Sequence, residues 1–109
     1  MKRELGNILR KGCKVIMKHY IIAKFKDRDD TEKLLPEIKA LFQKTLNIKG
    51  IESVTIHKSN STRDNRYSIM IEMSLSHEGL EVFDASDIHK EWKATYGDRL
   101  ESKAIVDCE

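Results

Sequence analysis

Met17-Lys18-His19-Tyr20-Ile21-Ile22-Ala23-Lys24-Phe25-Lys26-Asp27 is the stretch whose reading decides the fold. With the two-residue period of a strand, His19, Ile21, Ala23 and Phe25 fall on one face, and Lys18, Tyr20, Ile22, Lys24 and Lys26 on the other. A strand with one wet face alternates apolar and polar residues, yet here both faces carry apolar side chains. The pattern predicts a strand between two layers, helices on one side and a second sheet on the other. In so short a chain the second sheet comes most easily from a second copy.

The chain has 109 residues, the length of one domain, and at 35% charged and 39% apolar residues it reads as globular and not as disordered. No run approaches the about 18 apolar residues that a membrane span needs, so no membrane partner is expected. Cys13 and Cys108 lie far apart with no zinc or redox spacing, which suggests a reducing, cytoplasmic setting. The net charge of +2 is unevenly spread. Residues 1–16 hold five of the 20 basic side chains and one of the 18 acids, leaving 15 basic against 17 acidic residues over 17–109. A mildly acidic body argues against nucleic acid as a partner. Residues 1–16 read as a basic N-terminal extension, too weakly apolar for a signal peptide, and Met17 is a candidate alternative start.

After the first strand, Asp29 with Glu32 three residues on has capping-box spacing. Leu34, Leu35, Ile38, Leu41, Phe42 and Leu46 then recur at helical spacing from about 31 to 47. Pro36 predicts either a separate first turn or a start near Leu35. Asn47 and Gly50 provide an exit into a strand over 51–58, and residues 59–65 form a polar loop. The third strand is Tyr67–Leu75, with Tyr67, Ile69, Ile71, Met73 and Leu75 on one face. Ser76 caps a short helix carrying Leu80 and Phe83, and Ser86 caps another carrying Ile88, His89, Trp92 and Tyr96, which Gly97 ends. Residues 103–109 form a closing strand. The order is β-α-β-β-α-β, which predicts an α+β, ferredoxin-like fold with a four-stranded antiparallel sheet and helices on one face.

In this order, Met17–Asp27, Asn47–Val54, Tyr67–Leu75, the helical segment Leu80–His89 and Ala104–Glu109 resemble the stress-responsive α/β-barrel (Dabb) family, and the resemblance spans residues 17–109. It implies a homodimer in which two sheets pack into a dimeric α+β barrel. Tyr20, Ile22, Met70, Ala104 and Val106, with Thr55, are then the candidate interface, although singly exposed apolar residues are also common on surfaces.

The resemblance also implies a space between sheet and helices, here lined by His19, Ile21, Val54, Ile69, Phe83, His89 and Trp92. One plant branch of the family uses that space for polyketide cyclisation, with a helix histidine and a tyrosine as acid–base partners. His89 matches the helix histidine and His19 lies on the first strand, so both are candidate catalytic residues. Phe83 stands in place of the tyrosine, and Ile69 in place of a further histidine. Two readings of each histidine stand: a proton-transfer group, or a packed imidazole bonded to the backbone. His57 and His77 fall near element ends and read as solvated, and Cys108 as packing or as meeting its mate across a two-fold axis. No side-chain metal motif is present and no cofactor is expected, although some relatives hold a cation on backbone carbonyls, here around 45–51. The leading reading is a homodimeric binder of a small apolar or aromatic ligand. The alternatives are a His-dependent acid–base enzyme of cyclase, aldol or isomerase type, and a monooxygenase of the antibiotic-biosynthesis type.

Overall fold

The computed structural model describes residues 17–109. The expectations for residues 1–16, for Cys13 and for Met17 as a start depend on residues outside that range. β1 (Met17–Phe25) is followed by α1 (Asp30–Gln43), β2 (Ile51–Lys58) and β3 (Ile69–Leu75). α2 (His77–Asp84), α3 (Asp87–Tyr96) and β4 (Leu100–Cys108) complete the chain. The four strands form one antiparallel sheet in the order β2-β3-β1-β4. This is the β-α-β-β-α-β architecture expected, with the second helical segment divided in two.

β1 is central and its burial alternates along its whole length: Met17, His19, Ile21, Ala23 and Phe25 are buried beneath the helices, and the residues between them are half-buried. Ile38, Leu41 and Phe42 from α1 pack over this face with Phe83 and Trp92. Phe42 meets the Trp92 ring edge-on, with centroids 5.3 Å apart and planes at 78°, a favoured aromatic geometry.

Several local expectations are corrected. Asp29 does not cap α1; its own N–H donates to Asp27 Oδ1 at 2.9 Å, and the helix is entered through a turn in which Asp30 N–H donates to the Asp27 carbonyl at 3.0 Å. α1 runs unbroken through Pro36. Pro36 and Glu32, whose carbonyl loses its donor, are both exposed, so the freed acceptor lies on the solvent side of the helix. Leu46 lies in a 3-10 turn over Lys44–Asn47 and faces solvent, while Thr45 turns inward and donates to the Phe42 carbonyl at 2.6 Å. β3 begins at Ile69, leaving Tyr67 exposed, and β4 begins at Leu100 because the chain makes only a short 3-10 turn after α3.

The serine caps hold: Ser76 Oγ accepts from Gly79 N–H and Ser86 Oγ from His89 N–H. Gly50, at φ 96°, and Gly79 face each other. A Cβ on Gly79 would lie 2.6 Å from the Gly50 carbonyl oxygen, so the start of β2 docks on α2 only because both residues are glycine. That contact fixes the first turn of α2 against the start of β2.

Candidate functional site

β1 and β4 pair antiparallel with His19 opposite Asp107 and Ile21 opposite Ile105. The two-residue period brings Lys103, Ile105 and Asp107 onto the helix-facing side of β4. α2 and α3 stop short of this edge, and the gap is a cleft of about 330 Å³. Its apolar wall is Ile21, Leu80, Trp92 and Ile105. Its polar groups are the two histidines, Lys93, Lys103, Asp84 and Asp107.

His19 is almost wholly buried, and its Nδ1 lies 2.5 Å from Asp107 Oδ1. The carboxylate accepts, so Nδ1 carries the hydrogen of this bond, and in the neutral ring Nε2 is the acceptor. His89, in the first turn of α3, donates from Nδ1 to the Asp84 carbonyl at 3.1 Å, which leaves its Nε2 as acceptor too. Burial is the main cause holding the His89 pKa below the usual histidine value, with the Lys93 charge acting in the same direction and the Asp84 carbonyl opposing. Phe83 lies fully buried between the two imidazoles, 6.0 Å from the His19 ring and 5.0 Å from that of His89. The cleft thus offers two imidazole nitrogens as proton acceptors and two ammonium groups to complement an anion.

Of the residues expected around a ligand, His19, Ile21, His89 and Trp92 line this cleft, and Phe83 backs it. Val54 and Ile69 do not. Val54 is on β2, at the opposite edge of the sheet, beside a separate hollow with Phe42; Ile69 pairs with Ala23 at the far end of β1. Their shared face was readable from periodicity, but strand order separates them. Sequence reasoning missed Asp107 and Lys103; the signal was the alternation of 103, 105 and 107, which becomes informative once the β1–β4 register is known. The nearby tyrosine does not replace the hydroxyl absent at Phe83. Tyr96 donates to Glu37 at 2.9 Å, and burial, then that bond, pushes its pKa up to about 12.

On the opposite face of the sheet, the registers align Tyr20, Ile22, Met70, Ala104 and Val106, with Thr55 beside them. Glu72 stands among them, accepting from Lys18 at 3.2 Å and lying 2.9 Å from His57 Nε2. The His57 bond is the main cause that lowers the Glu72 pKa, with Lys18 next. His57, expected to be solvated, is exposed and hydrogen-bonds the Glu72 carboxylate, while Cys108, expected either to pack or to meet its mate across a two-fold axis, is exposed. Among the described residues no group of three or more His, Cys, Asp or Glu side chains is placed to hold a metal, and no helix is long and apolar enough to cross a membrane.

No family model and no curated protein matches the chain. Solved structures do. A dimeric protein of unknown function and ferredoxin-like fold from Bacteroides fragilis is 15% identical, with TM-score 0.72 over 85% of this chain and 94% of that one. A protein of Arabidopsis thaliana is 22% identical, with TM-score 0.69 over 86% and 94%. A dabb family protein with a ferredoxin-like fold from Mesorhizobium loti is 12% identical, with TM-score 0.66 over 85% and 94%. The fold is ferredoxin-like. At these identities the likeness carries the fold alone.

Proposed function

We propose that the chain is a stress-responsive α/β-barrel protein that works as a homodimer and binds, in the His19–His89 cleft, a small molecule with an aromatic or apolar body and an anionic end. The observation that carries the ligand reading is the joint opening of the Asp107-oriented His19 and of His89 onto one apolar-walled cleft rimmed by Lys93 and Lys103. The dimer is supported by the apolar residues on the open sheet face and by similar folds that are dimeric. Absence of motif spacing between the cysteines favours a cytoplasmic setting. The probe for the cleft is 8-anilinonaphthalene-1-sulfonate, an aromatic anion. It should bind saturably, and Lys103→Glu should weaken it about tenfold; unchanged affinity in the variant rejects the assignment.

A second reading, acid–base catalysis on a keto compound, is favoured by one specific contact. A carboxylate that fixes an imidazole tautomer is the usual orienting device for a general base, and Asp107 holds His19 in that way. The imidazole Nε2 would take a proton from carbon next to a carbonyl while an ammonium group stabilises the enolate. Screening keto substrates with His19→Gln and His89→Ala tests it: turnover that survives both changes unaltered removes this reading and leaves the ligand reading standing.

A further inference from the structure

A second cleft, of about 370 Å³, opens at the other end of β1, beside the loop that joins β2 to β3, and shares no residue with the first. Its wall carries four cationic side chains, Lys24, Arg28, Lys58 and Arg66, against one carboxylate, Glu32. Three serines of the same wall already act as acceptors. Phe25 N–H donates to Ser68 Oγ at 3.0 Å, Ser61 N–H to Ser59 Oγ at 3.2 Å and Arg63 N–H to Ser61 Oγ at 3.2 Å. A hydroxyl engaged in that way keeps its own proton to donate, and among the described residues none of the three protons has an acceptor.

The donors are held in place before anything binds. Ser59 N–H donates to the Ser68 carbonyl at 2.9 Å, and Ser68 N–H to the Ala23 carbonyl at 2.8 Å, which ties both ends of the loop to the sheet. The counter-charges are held far less firmly. Glu32 pairs with Lys58, Asp64 with Arg28 and Glu101 with Lys24, all three from side chains more than half exposed. Such pairs are weak and readily exchanged for a stronger anion. The Arg66 guanidinium has no carboxylate partner among the described residues and donates to Asn65 Oδ1 at 2.6 Å.

We propose that this second cleft binds the phosphoryl group of a small phosphomonoester. A dianion with three acceptor oxygens matches guanidinium forks combined with convergent hydroxyl donors, whereas a carboxylate has too few oxygens and too little charge to use them all. Tyr67 and Phe25 line the same space and give the organic part of the ester an apolar surface.

The test is a ¹⁵N–¹H NMR titration of the full chain with ribose 5-phosphate, with ribose and succinate as controls. The amide signals of Ser61, Arg63 and Ser68 should shift saturably with ribose 5-phosphate and stay still with ribose. Lys58→Gln combined with Arg66→Gln, both at exposed positions, should weaken binding at least tenfold while the rest of the spectrum stays native. Ser61→Ala, which removes no charge, should weaken it about threefold. Absence of saturable shifts, shifts confined to the His19 cleft, equal affinity for succinate, or unchanged affinity in the double variant overturns the proposal.

Discussion

Asp107 gives His19 a direction. Without its carboxylate the buried ring keeps an N–H donor with no partner, a loss on the order of 1–2 kcal/mol for a site open to some water. Asp107→Ala should therefore lower stability by about that much in urea unfolding, and His19→Phe combined with it should recover part of the loss because no buried polar atom then remains. His89 behaves differently. Its folded pKa lies below the usual 6.5, so the folded state binds fewer protons than the unfolded chain between the two values. Its effect on stability is absent above 6.5 and becomes a penalty as pH falls toward the folded pKa, fully expressed below it. An NMR titration of the His89 ring should give a midpoint below 6.5, and His89→Gln should remove that part of the pH slope.

At the scale of elements, the Gly50–Gly79 approach is the joint most sensitive to change. Gly79→Ala forces a Cβ against the Gly50 carbonyl and should cost about 2–3 kcal/mol, readable as a lower thermal midpoint. Pro36→Ala should act in the opposite direction, restoring a helix bond on an exposed face and adding about 1–3 kcal/mol.

The elements most legible in the sequence were those with an unambiguous period or cap. β1 has a two-residue period with apolar residues on both faces, α1 carries an apolar stripe, and Ser76 and Ser86 each precede a helix. What failed was decided by tertiary context. Pro36 is tolerated because its side of α1 is wet, and Asp27 takes the capping role by a local turn that spacing does not distinguish from one at Asp29. The site was half legible. The histidines stood out as residue types, but Asp107 and Lys103 became relevant only through strand pairing, and Val54 dropped out through strand order.

At the scale of the molecule, the open sheet face is the feature that asks for a partner. Ile22, Met70 and Val106 surround the Lys18–Glu72 ion pair, to which His57 is hydrogen-bonded, and Val106 is 45% exposed. Covered by a second copy, that group keeps its charges paired among themselves, which lessens the desolvation cost. Sedimentation should give a dimer at micromolar concentration, and Ile22→Lys, placing a third cation beside Lys18 and Lys24 on the same strand, should give a monomer with an unchanged circular dichroism spectrum. A wild-type monomer rejects the dimer.

β4 is an edge strand, and that has a consequence for time as well as for space. Edge pairings open locally at a smaller free-energy cost than central ones, and Asp107 sits close to the last paired residue of β4. Each fraying event therefore releases the His19 ring from its anchor, so that the ring's tautomer lasts only as long as this end of the ladder stays closed. Amide hydrogen exchange around Asp107 then serves as a clock for the site: slower opening there means a longer-lived orientation of His19, and whatever clamps this edge also tunes the chemistry behind it.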